Sequence, residues 1–210
     1  MTTSLARRER IALCDLALVL GEDAPTLCSG WDARDLVAHL LLREHRPLAG
    51  AGITIGAMSR FTDRQMARYR QQDFGVLVEK LRTPGFTPFA IPAVERLANT
   101  MEYVVHHEDL RRGQPDWQPR DLDPADDQEL WAMLRKGASF AGRKLPVPTV
   151  IRRAGTDEVA TAKKGEGTVT ITGAPVELVL FLFGRSCASD LVFDGPDDAV
   201  AAVRNADLGI

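Results

Sequence analysis

The segment DARDLVAHLLLRE, residues 32–44, indicates how the first half of the chain folds. Asp32 is a good N-terminal cap for a helix, and Asp35 three residues later resembles the carboxylate of a capping box. Between residues 36 and 42 every side chain is apolar except that of His39. The segment predicts a helix over residues 33–44 that carries one histidine among apolar neighbours.

The segments around it in the first half are helical as well. They combine apolar residues at helical spacing with flanking glycine or proline residues that end or begin a helix. The further predicted helices are 4–20, 59–70, 74–82 and 93–112. Glycines at 50, 52 and 56 indicate a loose connection. Long helices joined by loops predict an up-and-down bundle.

The second half, after Gly113, mixes strands with helices. Residues 114–127 are rich in Pro and Asp and are interpreted as a linker that ends in a helix cap. The predicted elements are helices at 128–140, 175–184 and 196–206 and strands at 148–153, 158–163, 167–172 and 191–194. Residues 163–167 are interpreted as a hairpin turn. The sequence thus predicts an α+β protein, with a helical bundle at 1–113 and a small α+β domain at 114–210.

The composition is that of an ordinary globular protein and limits the classes of partner. Of 210 residues, 45% are hydrophobic and 26% are charged, and the formal net charge is -3. Without a long basic run, the chain is predicted to bind neither nucleic acid nor an anionic membrane. Its longest apolar stretch, residues 176–183, is too short to span a bilayer. The N-terminus lacks the apolar core of a signal peptide, so we expect a cytoplasmic protein.

The histidines concentrate the candidate chemistry in the helical half. Glu102 and His106 are four residues apart, so they share one face of a helix. Bundle packing can place His39 opposite them, and two histidines with one glutamate form a known catalytic metal arrangement. Asp109, one turn further on, is a candidate to orient an imidazole. A histidine held in the core by a hydrogen bond explains His39 equally well, and spacing alone does not decide between the two.

The three cysteines and the other two histidines are interpreted as structural residues rather than as parts of a site. Cys14, Cys28 and Cys187 are widely spaced and predict neither a disulfide framework nor a metal clamp, so we interpret them as reduced thiols in or near the core. His107 points about 100° away from His106 around the helix and is interpreted as a surface or cap residue. His45 lies near a helix end, where the helix dipole favours an imidazolium.

Three motifs resemble one protein family. Residues 27–40 contain the pattern C-x-G-W-x-x-x-D-L-x-x-H-L and resemble the signature of the mycothiol-dependent maleylpyruvate isomerase family. Residues 102–109 resemble the second metal motif of that family, and residues 169–185 resemble its small C-terminal domain. The resemblance implies a DinB-like metal-binding four-helix bundle followed by a sterol-carrier-like α+β domain.

The resemblance also implies a site and an activity. The metal ligands would be His39, Glu102 and His106, and the ion would be zinc or, in some relatives, nickel or another divalent metal. Arg185 falls where the family places a basic residue near the substrate. The cofactor would be mycothiol, a small-molecule thiol that the metal activates as a thiolate, and the substrate would be a small molecule.

Three hypotheses follow for the function. The first is a metal- and thiol-dependent isomerase or transferase with an open metal site, in a cleft between the two domains that Arg185 or another cation lines. The second is a non-enzymatic metal- or thiol-binding module with the same ligands. The third is a structural bundle without metal, in which a neighbouring side chain satisfies His39. The sequence does not define the substrate, the thiol, the metal or the oligomeric state.

Overall fold

The computed structural model describes residues 3–45, 59–83, 85, 87 and 91–209, without the side chains of residues 59–63, 92 and 97. The predicted glycine-rich connection at 50–56 lies outside these residues. The chain divides into two compact units, Met1–Gln118 and Pro119–Ile210. The first unit is helical and the second combines helices with a sheet, so the predicted α+β class is confirmed.

The first unit contains five helices in its described part. Ser4 caps the first helix by accepting a hydrogen bond from the backbone N–H of Arg7 at 3.3 Å, and Asp73 caps the fourth in the same way, by accepting from the backbone N–H of Val76. Pro92 is the first residue of the last helix, where its fixed φ suits helix initiation. The helices are α1 (Leu5–Leu20), α2 (Ala33–His45), α3 (Ser59–Arg70), α4 (Phe74–Arg82) and α5 (Pro92–Arg112).

One apolar core holds these helices together. α1 contacts α4 and α5, and α2 contacts α3 and α4. α1, α2, α4 and α5 contribute side chains that are almost completely buried. The full burial of one Leu side chain stabilises a fold by roughly 1.5–3 kcal/mol. The core includes Leu13, Ala17, Leu36, Leu40, Leu77, Leu81, Tyr103 and Leu110.

A buried ion network joins four helices near the end of α2. Arg10 on α1 donates to both carboxylate oxygens of Glu44, at 2.6 and 2.8 Å, and to Glu95 at 2.9 Å. The same guanidinium donates to the backbone oxygen of Leu81 and stacks 4.5 Å from the ring of Tyr103. Each of its three nitrogen atoms therefore donates at least one hydrogen bond, although Arg10 is fully buried.

The loop between α1 and α2 lies against the C-terminal end of α5. The backbone N–H of Leu27 donates to the carbonyl of Asp109 at 3.0 Å. Gly113 approaches the backbone of Pro25 and Thr26 so closely that a Cβ atom at this position would clash. This contact fixes the loop, which carries Cys28, beside residues 102–109 of α5.

The second unit is a four-stranded sheet with helices. The strand order is β2-β1-β3-β4; β1 and β3 are parallel, and the other neighbours are antiparallel. The sheet's strands are β1 (Thr149–Arg153), β2 (Val159–Lys163), β3 (Val169–Gly173) and β4 (Val192–Asp194). The helices are α6 (Pro124–Ala141), α7 (Pro175–Leu182) and α8 (Asp197–Arg204), with a 3-10 turn at Gly142–Lys144. None of the helices in the described ranges is both long and apolar enough to cross a membrane.

Two predictions for this unit were wrong. α6 begins at Pro124 rather than at residue 128, because proline is favoured in the first turn of a helix. Residues 163–167 are not a hairpin turn, because β2 and β3 both pair with β1 and not with each other. Gly165 lies against Pro148, just before β1, so the chain passes the end of that strand to reach its other side.

Candidate metal centre

His39 lies on α2 with its ring beside two other rings. The helix begins after Asp32, whose carboxylate accepts a hydrogen bond from the backbone N–H of Asp35 at 2.8 Å. The buried imidazole of His39 has its centroid 5.0 Å from that of Trp31. The ring of His106, on α5, also lies 5.0 Å away, at an interplanar angle of 70°. The fold therefore brings His39 of the first motif next to His106 of the second motif.

Glu102 and His106 stand one turn apart on α5. Glu102 Oε2 lies 3.6 Å from His106 Nε2. Ligand atoms of His39, Glu102 and His106 all lie within 4.8 Å of one another. The structure thus brings together the three residues that were predicted to be metal ligands.

The charged groups in this cluster change one another's pKa values. Burial alone would raise the pKa of Glu102, but the imidazole of His106 and the guanidinium of Arg43 lower it to about 2. Burial alone would lower the pKa of His106, but Asp109, Cys28 and Glu102 hold it well above its usual value. At neutral pH the carboxylate is therefore ionised and, without metal, the imidazole is protonated.

The three side chains fit a divalent transition metal. Two imidazole nitrogens and one carboxylate oxygen are common zinc ligands, and three protein ligands leave room for a further one. The side chain of Glu102 is 29% exposed, which leaves this edge of the cluster open to solvent. His39 and His106 are buried, so Glu102 is the most exposed of the three side chains.

Asp109 and Cys28 lie at the other end of the His106 ring. Asp109 Oδ2 is 3.0 Å from His106 Nδ1, the position expected of a carboxylate that orients an imidazole. The thiol of Cys28 donates to the same oxygen at 3.2 Å. As predicted, Cys14 is a free thiol in the core and Cys28 is a free, half-buried thiol that packs against the core, but the contact of Cys28 with this site was not predicted. Its place in the first motif, 11 residues before His39, was the available signal.

Arg43 is a site residue that the sequence reasoning missed. Its Nε lies 3.6 Å from Glu102 Oε2. It also donates to the backbone oxygen of Ala98 at 2.7 Å and to the side chain of Asn99. Arg43 follows His39 by four residues, so both lie on one face of α2, the same spacing that identified Glu102 and His106.

The other two histidines lie outside the cluster. His107 was predicted to be a surface or cap residue, which was wrong: it is buried, and its Nδ1 lies 2.8 Å from Glu9 Oε2. The face of α5 that carries His107 packs against α1, so the residue is internal. His45 is exposed at the last position of α2, as predicted.

Arg185 belongs to the second unit. It follows the end of α7, and its guanidinium donates to the backbone oxygen of Phe183 at 2.7 Å. Its own backbone N–H donates to Leu180 at 2.9 Å, which fixes the start of this loop. The role of Arg185 near a substrate stays a prediction.

These features define a class of protein with a helical unit that carries a His/Glu cluster and a smaller α+β unit. Residues 6–88 match the family described as the mycothiol maleylpyruvate isomerase N-terminal domain. This match confirms the resemblance to that family that the sequence motifs indicated. The match includes His39, whereas Glu102 and His106 lie beyond it.

A solved structure shows the same fold over most of the chain. The crystal structure of the mycothiol-dependent maleylpyruvate isomerase superposes with a TM-score of 0.57 and covers 90% of each chain. The two sequences are 18% identical, so this likeness concerns the fold alone. No curated protein sequence matches the chain.

Proposed function

We propose that this protein binds one divalent metal ion through His39, Glu102 and His106 and uses it in a thiol-dependent isomerase or transferase reaction. The observation that carries the proposal is the convergence of the three side chains, whose ligand atoms lie within 4.8 Å of one another. The family match of residues 6–88 supports mycothiol as the thiol. Zinc is the ion we expect, with nickel as the alternative, because imidazole and carboxylate ligands suit both.

The residues at this site would have different roles in metal binding. Glu102, with a pKa of about 2, is an ionised ligand over the whole physiological pH range. His106 must release its proton before its Nε2 atom can coordinate. Asp109 then holds a proton on Nδ1, which leaves the Nε2 lone pair facing Glu102. Arg43 contacts Glu102 from α2 and holds this carboxylate in place.

The chemistry follows from an open metal position beside these residues. When bound, a divalent metal lowers the pKa of a coordinated thiol, so a thiolate is present at neutral pH. In an isomerase, such a thiolate adds to an activated double bond, the bond rotates, and the thiol leaves. The nucleophile then comes from the small-molecule thiol, and no cysteine of the chain needs to react.

The first test is the metal content of the protein purified without a histidine tag. We expect about one divalent ion per chain in the wild type by elemental mass spectrometry, and none in His39→Ala or His106→Ala. His45→Ala is the matched control, because His45 is exposed on the same helix as His39. It should retain the ion.

Two outcomes would change the proposal. A wild-type protein that takes up neither zinc nor nickel would exclude the metal site and leave a structural bundle. A protein that holds the ion but shows no mycothiol-dependent turnover of maleylpyruvate or related unsaturated acids would instead be a binding module. A chelator that abolishes turnover, with recovery on adding zinc, would support the enzyme.

A further inference from the structure

A hydrogen-bonded chain runs from the candidate metal centre to a thiol. His106 Nδ1 lies 3.0 Å from Asp109 Oδ2, and the same oxygen accepts a hydrogen bond from Cys28 at 3.2 Å. We propose that Cys28 is a positioning residue whose S–H group holds Asp109 in the orientation that fixes the His106 ring for metal binding. The inference rests on the proposed metal site.

Asp109 needs such support because it is completely buried. A carboxylate inside a protein is costly unless hydrogen bonds replace its hydration. The thiol and the imidazole both contact one carboxylate oxygen of Asp109, Oδ2. Loss of the thiol donor would weaken the preference of the carboxylate for its present rotamer, and the orientation of His106 depends on that rotamer.

The loop that carries Cys28 is itself fixed to the site. The backbone N–H of Leu27, the residue before Cys28, donates to the carbonyl of Asp109, so the backbone of this loop is joined to the residue that the thiol contacts. The backbone N–H of Cys28 donates to Thr26 Oγ1 at 3.2 Å, and that hydroxyl donates to the carbonyl of Trp31 at 2.9 Å. The position of the sulfur is thus set by the fold rather than by a mobile side chain.

The competing assignment is that Cys28 is itself a metal ligand. Its sulfur, His106 Nδ1 and an Asp109 oxygen also lie within 4.8 Å of one another, and thiolate, imidazole and carboxylate together bind thiophilic ions. The hydrogen-bond geometry favours the positioning role, because two donors converge on one acceptor oxygen. In that role Nε2 of His106, which faces Glu102, stays available for the ion.

Cobalt(II) binding to the full-length protein separates the two roles. Cobalt replaces zinc in such sites, and thiolate coordination adds a strong charge-transfer band in the near ultraviolet. We expect visible ligand-field bands without that thiolate band in the wild type. Cys28→Ala should weaken the cobalt affinity by about tenfold, the size of effect that residues supporting metal ligands show. Cys28→Ser should stay within about twofold of wild type, because the hydroxyl keeps a donor for Asp109.

Cys14→Ala is the matched control. Cys14 is buried in the core, where burial raises its pKa to about 12, and its thiol contacts the backbone oxygen of Val78. Its removal should leave the cobalt affinity unchanged. The rescue by serine separates a positioning role from a loss of folding, which circular dichroism of each variant checks.

Each other result would contradict either the positioning role of Cys28 or the metal site itself. A thiolate-to-cobalt band in the wild type that Cys28→Ser abolishes would make Cys28 a ligand. Equal affinities for wild type and Cys28→Ala, or an equal loss in the alanine and serine variants, would exclude the positioning role while leaving the metal site intact. A wild type that binds no cobalt would reject the positioning role together with the proposed function.

Discussion

His106 lies between two carboxylates, with Glu102 near its Nε2 atom and Asp109 near its Nδ1 atom. These contacts raise its pKa well above the usual value, in spite of burial. A group whose pKa is raised on folding stabilises the folded protein at low pH, and this stabilisation is lost as the pH rises through the folded-state pKa. In the metal-free protein His106 therefore contributes fully below about pH 6.5, its usual pKa.

Glu102 shows the opposite dependence. Its pKa is lowered from 4.5 to about 2, so its contribution to stability is present above about pH 4.5. That contribution is lost as the pH falls towards 2. The Glu102–His106 pair therefore stabilises the metal-free protein most between the unfolded-state pKa values of the two groups, in mildly acidic solution.

Metal binding should release the proton of His106. Below the pKa of His106 we expect the apparent zinc affinity to rise about tenfold per pH unit, with about one proton released per ion at pH 7. Titration calorimetry in two buffers with different ionisation enthalpies measures that proton count. Asp109→Asn should release fewer protons, because the pKa of His106 falls without the carboxylate. An affinity that is constant between pH 6 and 8 would contradict the assignment of His106 as a protonated ligand.

The sequence predicted those site residues that a pattern of nearby residues marks. Four-residue spacing placed Glu102 and His106 on one face of a helix, and His39 was marked by its apolar neighbours. Cys28 was missed because it reaches Asp109 through a loop contact between residues 81 positions apart. The burial of His107 was missed for a related reason, since it depends on which face of α5 meets α1.

At the scale of elements, the helix boundaries followed from the sequence but the strand neighbours did not. Caps, prolines and glycines are local signals, and the described helices begin and end within a few residues of most predicted positions. The sheet order depends instead on pairings that a strand pattern does not encode. β1 and β3 are parallel neighbours, and only the fold reveals that β2 lies on the far side of β1.

Among the contacts between helices, the buried ion network around Arg10 is expected to have the largest effect on stability. Arg10→Met would leave the carboxylates of Glu44 and Glu95 without the cation that now pairs with both. We expect the free energy of unfolding to fall by about 3–5 kcal/mol, the usual result of breaking a buried ion pair on one side. Urea-induced unfolding, followed by circular dichroism, measures the loss.

The comparison variant for Arg10 is Arg82→Met. Arg82 pairs with Asp15 at 2.7 Å, but the Asp15 side chain is 62% exposed. Such surface pairs contribute at most about 1 kcal/mol. If the two variants lost the same stability, the network around Arg10 would not be the link between helices that its geometry suggests.

At the scale of the whole molecule, the candidate functions are divided between two units. The proposed metal ligands, with Asp109, Cys28 and Arg43, lie within residues 1–118. Arg185, predicted to act near the substrate, lies within residues 119–210. A substitution of Arg185 should therefore change turnover without changing metal binding, whereas loss of a metal ligand should change both.

The Arg185→Met variant tests whether turnover can be changed without a change in metal binding. We expect it to keep the metal content and zinc affinity of the wild type, because no proposed ligand lies in the second unit. We expect a lower kcat/KM for the thiol-dependent reaction, by about tenfold or more, because a charged hydrogen bond to a substrate is worth roughly 1.5–3 kcal/mol. Arg152→Met, which removes an exposed arginine of the same unit, is the control and should change neither quantity. A loss of metal in Arg185→Met would show that the second unit supports the metal centre, and unchanged turnover would remove Arg185 from the reaction.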